Sequence, residues 1–239
     1  MPSTQTQQVA LVEAQIQLDQ ASLNHKLQAL KNFGLDDAVV NLYVTKISTS
    51  NKEKRFVEVK RLNVHSDDKP LFKNYVTECI DGNDHICELK SINTTQDNRF
   101  FYVEKSATDF SQMEALVTTG QIDFVTEKSE LNSFNSYVIQ LTFGEPEQSI
   151  FAFRYISGAW SANKTSGKFF GFDTFNNELI VKIKEDPRFQ ITPYIDFLQY
   201  GDDIFIADIK QFETAMNFHE RLKEKKLKRL PHYALALRC

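Results

Sequence analysis

With 239 residues, 41% hydrophobic and 25% charged, the chain has the balance of an ordinary globular protein and enough length for one large or two small cores. A net charge of −4 excludes the overall basic excess that gives nonspecific nucleic-acid affinity, so any anion-binding surface must be local. No secretion signal opens the sequence and no apolar run approaches the roughly 18 residues that cross a bilayer. Cys79, Cys87 and Cys239 cannot all pair within one chain, so a soluble protein of the reducing cytosol is expected.

In chain order, residues 5–33 place Val9, Val12, Ile16, Leu23, Leu27 and Leu30 mostly three, four or seven apart, which predicts one long amphipathic helix or two shorter ones. Its stripe suits either plain core contact or an arm reaching a neighbour in an oligomer. Val40–Lys46 and Arg55–Val64 alternate with period two around a polar turn and predict a hairpin. Ser66-Asp67-Asp68, with Pro70 in the first turn, starts a helix that runs to about Ile80 and closes at Asp81-Gly82-Asn83. Strands are expected around Cys87–Ile92 and Arg99–Lys105, joined by a turn, then a short helix over Asp109–Val117. Further hairpins are expected over Tyr137–Ile156, around Gly144-Glu145-Pro146, and over Leu179–Phe189.

The most ordered signal is Tyr194–Leu230. Ile195, Phe197 and Ile204-Phe205-Ile206 flank the turn Gly201-Asp202-Asp203, and Asp208 with Gln211 three residues on forms a capping box that opens a helix. Pro231 ends that helix and leaves an apolar tail over 231–239. The fold class is α+β: a mainly antiparallel sheet built from successive hairpins, flanked by helices. Its parts are a helical arm (1–34), the α+β body (35–230) and the tail.

Catalytic motifs are sparse. No HExxH, GxSxG, Walker A or dinucleotide-binding glycine pattern occurs. Cys79, His85 and Cys87 lack the second ligand pair of a structural zinc site, and they read as a helix-end cysteine and a strand. No metal or cofactor is therefore expected. Glu58-Val59-Lys60 and Glu88-Leu89-Lys90 match the Glu-x-Lys triplet of metal-dependent nucleases, though surface alternation on a hairpin explains them equally well.

Two basic features suit phosphate. The first is a polar loop over Trp160–Phe172 carrying Lys164 and Lys168 beside aromatic rings, close after Arg154. The second is the run Arg221, Lys223, Lys225, Lys226, Lys228 and Arg229, interrupted by the single acid Glu224 at a helix end. Helix C-termini favour cations in any case, so a solvated end and a phosphate surface both fit the second feature. An inward-turned surface loop is likewise the alternative for the first.

The phrase DFLQYGDDIFIADIKQFETAMNF, Asp196 to Phe218, resembles the hallmark segment of the KwaB-like proteins of the Kiwa bacterial anti-phage system. Fainter likeness extends upstream through Phe153–Ser157 towards the first hairpin, so that it covers most of residues 36–230. The resemblance implies a cytoplasmic, DNA-binding, nonenzymatic effector that self-associates and works with a membrane-embedded partner subunit, which would recruit it to the inner membrane. Relatives continue into further helical sequence, so the tail reads as either a short variant or a truncated C-terminus. No site residue is carried over from the family, and Arg154, Lys164, Lys168 and the 221–229 cations are chosen on charge. The alternatives are a nuclease using one of the Glu-x-Lys triplets and an interaction scaffold that binds no nucleic acid.

Overall fold

The computed structural model describes residues 19–48, 50–51, 54–89, 98–119, 121–156, 168–173, 178–181, 189–191 and 194–220. Its centre is an eight-stranded sheet in the order β2-β1-β5-β6-β10-β11-β4-β3. The strands are β1 (Val39–Ile47), β2 (Phe56–Leu62), β3 (His85–Glu88), β4 (Arg99–Glu104), β5 (Ser136–Phe143), β6 (Gln148–Tyr155), β10 (Phe197–Tyr200) and β11 (Asp203–Ile206). A separate three-stranded sheet has β7 (Lys168–Asp173) between β8 (Glu178–Val181) and β9 (Phe189–Ile191).

Both faces of the large sheet are covered, which is why its inner strands read as near-continuous apolar runs and not as a clean alternation. One face carries Leu42, Ile139, Ala152, Leu198 and Phe205 in cross-strand register and packs against Leu23, Leu27 and Leu30 of α1 (19–31) and Phe72, Val76 and Ile80 of α2 (Lys69–Asp81). The opposite face carries Tyr43, Val138, Phe153, Phe197 and Ile206, covered by Phe110 and Met113 of α3 (Phe110–Thr119) and Phe212 and Met216 of α4 (Ile209–Met216). Phe153 and Phe197 stack with ring centroids 4.6 Å apart, and Phe110 and Phe212 meet Phe197 edge-on. Each such ring removed from water contributes about 2–3 kcal/mol.

The N-terminal hairpin, α2, α3, the β5–β6 hairpin and the β10–β11 hairpin all form as the sequence predicts. Gly201, at φ 57°, supplies the left-handed residue that the tight β10–β11 turn requires. Asp208 caps α4 by accepting from the Gln211 N–H at 3.0 Å.

Several expectations are corrected. β3 begins at His85 and runs parallel to β4, so these two strands are not an antiparallel hairpin. This earlier register puts Ile86 into the same core as Phe100, with Cys87 beside Phe101 on the other face. β8 and β9 do not pair with each other, because each bonds to β7, and the second half of the expected 160–172 loop is β7 itself. The helix after Asp208 does not run on unbroken: α4 stops at Met216, and Asn217 turns left-handed at φ 51°. Asn tolerates that conformation, and the Glu213 carboxylate accepts from the His219 N–H, starting a new helical turn over 218–220.

Arg55 ties the first hairpin to α4. Only 3% exposed, it donates through Nη2 to the carbonyls of Thr214 (2.8 Å) and Ala215 (2.9 Å), and through Nε to Ala215 again. These are the last carbonyls of α4, which have no acceptor role inside the helix and sit at its negative end. Arg55→Ala is expected to lower unfolding free energy by about 3 kcal/mol in urea melts, because it orphans buried carbonyls and leaves a void. A loss under about 1 kcal/mol would show that this clamp is not needed.

Candidate functional site

A cleft of about 500 Å³ opens where β6 ends and the segment leading into β10 begins. The end of α2 supplies Glu78, Cys79 and Asn83, the end of β6 supplies Arg154, and the approaches to β10 and α4 supply Tyr194, Ile195, Ala207 and Asp208. Pro70 and the 3₁₀ turn Ser66–Asp68 fix where α2 starts, and Gly82 ends it, so Cys79 and Asn83 arrive at the cleft together. Asn83 Nδ2 donates to the Cys79 carbonyl at 2.7 Å, holding this corner in place.

Beneath the cleft lies Asp196, with no exposed surface. Its backbone N–H donates to the Phe153 carbonyl (2.8 Å), and its carbonyl accepts from Ala207 N (2.8 Å) and Asp208 N (2.9 Å). Its carboxylate accepts from the Tyr155 N–H at 2.5 Å and from the Arg154 guanidinium in a direct ion pair. One residue thereby joins the end of β6, the start of β10 and the entry to α4. Burial pushes the Asp196 carboxyl up to about 7, against the pull of Arg154 and the Tyr155 N–H, while the neighbouring Asp208 charge adds to the rise. The Cys79 thiol is pushed up to about 12, chiefly by burial and secondarily by Asp196, which keeps it protonated and unreactive near neutrality.

Arg154 is thus the one chosen cation whose side chain is described. It is 15% exposed, its charge is matched by Asp196, and its guanidinium lies 5.8 Å from the centre of the exposed Tyr194 ring. Lys168 opens β7, opposite Ile191. Lys164, Arg221, Lys223, Lys225, Lys226, Lys228 and Arg229 lie outside the described residues, as does the 231–239 tail.

Of the nuclease-like triplets, Glu58-Val59-Lys60 sits on β2, where the Lys60 ammonium pairs with Glu130. That pairing, helped by the backbone N–H groups of Thr126 and Glu127, draws the Glu130 carboxyl down to about 2. Glu88 ends β3, and Lys90 is outside the described residues. Among the described residues no three His, Cys, Asp or Glu side chains converge as metal ligands. Asp196 was not singled out from the sequence, yet it carries a signal there: an acid set between the apolar Ile195 and Phe197 at the head of a buried strand.

A family model described as "Kiwa protein KwaB-like" matches residues 131–232. Over this region the chain is similar to the KwaB-like family. That description points to the Kiwa bacterial anti-phage defence system. Arg154, Tyr194, Asp196 and Asp208 all belong to the KwaB-like region, whereas Glu78, Cys79 and Asn83 come from before it. The sheet likewise mixes β5, β6, β10 and β11 from the KwaB-like region with β1 to β4 from upstream. No curated protein and no solved structure matches the chain. Among the described residues no helix is long and apolar enough to cross a membrane.

The raised Asp196 carboxyl gives a pH signature of definite sign. Unfolded, the group titrates near 4, and folded near 7, so between those values the native state holds the extra proton. The stability of the wild type relative to Asp196→Asn should therefore decline as pH rises from about 4 to about 7, then level off. Urea midpoints of both proteins across that window test it, and a constant difference would refute the assignment.

Proposed function

We propose that the chain is the DNA-binding, nonenzymatic effector of its Kiwa system, self-associating in the cytoplasm and acting with a membrane-embedded partner subunit. The observation that carries this reading is the KwaB-like region itself: it contains every cationic position selected on charge, including the Arg221–Arg229 run with its lone acid Glu224. In a chain of net charge −4, DNA affinity needs such local concentration, since the molecule as a whole repels phosphate. The body over 35–230 would hold the backbone contacts, with Lys164 and Lys168 adding to the Arg221–Arg229 cations. Arg154, already matched by Asp196, is the weakest phosphate contact among them and serves better as a support for the cleft wall.

Phosphate contacts of this kind read charge and not sequence. Unrelated duplexes should bind with similar affinity, and with about six phosphates neutralised the affinity should drop about a thousandfold between roughly 50 and 200 mM salt. Fluorescence anisotropy over a salt titration measures both. Reversing Lys223, Lys225 and Lys226 to Glu should weaken binding to every duplex alike. Absence of binding at low ionic strength would reject the proposal.

A further inference from the structure

A second cleft, of about 530 Å³, lies at the opposite end of β6 from Arg154, where the β5–β6 and β10–β11 turns meet the last turns of α3. Its lining is predominantly acidic. Glu114, Glu147 and Asp202 line it together with, among the described residues, a single cation, Lys105, whose ammonium is shared between Glu114 (3.1 Å) and Asp202 (3.5 Å). Asp203, also in the wall, is matched by Lys26 (2.7 Å) and by the Tyr102 hydroxyl (2.9 Å). Glu147 is exposed and has no ion-pair partner among the described residues.

An acidic rim alone is an ordinary solvated surface. What sets this one apart is Gln199, which lines the cleft and is only 2% exposed. Its Nε2 donates to the Gly201 carbonyl at 2.5 Å, while its Oε1 is buried with no hydrogen-bond partner among the described residues. The amide cannot be turned round to relieve this, because the reversed group would set two carbonyl oxygens against each other. A buried acceptor left empty costs about 1–3 kcal/mol, so the site calls for a donor. Gln199 Oε1 and the Glu147 carboxylate are both acceptors, and Phe151 beside Gln199 offers an apolar floor.

We propose that this cleft binds a primary alkylammonium group, its N–H donors taken by Gln199 Oε1 and by Glu147, with Asp202 adding charge and the methylene chain lying over Phe151. A free polyamine and the lysine side chain of a partner protein carry the same group. A divalent metal fits less well, since among the described residues no three ligating carboxylates, thiols or imidazoles converge. The site shares no residue with the Arg154 cleft or with the cations assigned to DNA, so either assignment can fail without the other.

The test is calorimetric titration of the full chain with spermidine, with a blocked tripeptide containing one lysine, and with magnesium chloride at matched ionic strength. Saturable one-site binding of either ammonium probe is expected, weakened about tenfold in Glu147→Gln and in Gln199→Met. Tighter binding of spermidine would identify a free polyamine as the source, and tighter binding of the peptide a partner's lysine. Glu147 is exposed, so its variant folds and decides the matter even if Gln199→Met does not. No saturable binding of either probe, affinity unchanged in Glu147→Gln, or equal competition by magnesium would each overturn the proposal.

Discussion

A carboxylate removed completely from water opposes folding by several kcal/mol unless the surrounding protein supplies what the solvent gave. Asp196 is in that position. Its matching groups come from β6, through Arg154 and the Tyr155 N–H, while its own backbone fastens β6 to the junction between β11 and α4. The relative placement of sheet and capped helix seen here is one that matches this acid. The raised carboxyl indicates that the compensation is partial. The pair therefore defines geometry more than it adds stability, a role that polar groups inside apolar cores can fill.

Stability itself comes from elsewhere. Two apolar layers, one under α1 and α2 and the other under α3 and α4, cover the sheet, and the second is dominated by interlocking phenylalanine rings. This packing accounts for much of the heavy use of phenylalanine, 20 residues in all. Arg55 joins the upstream hairpin to the end of α4, so strands that precede the KwaB-like region are built into the same unit. The two clefts at opposite ends of β6 then differ in what they offer a ligand: in one an arginine has its charge matched internally, and in the other acids flank an unfilled amide oxygen.

Much of this was legible along the chain because the signals were local. The β10–β11 turn follows from Gly201, the start of α4 from Asp208, and the start of α2 from Pro70. The parallel pairing of β3 with β4 was not legible, since alternation of side chains reports a strand but carries no direction. Nor was the place of β7 between β8 and β9, which depends on hydrogen bonds between segments distant in sequence. The interruption at Asn217 was hidden because the apolar spacing continues through Phe218.

The candidate sites divide along the same line. Charge, the capped helix and the family signature were fixed by residue order, as each is a property of a short stretch. That Arg154 faces Asp196 and not solvent, that Cys79 comes to lie beside them, and that Gln199 keeps an empty acceptor were decided only when strands more than forty residues apart were brought side by side. Desolvation arises from everything that surrounds a group, and a linear sequence specifies its neighbours along the chain but not those across the sheet.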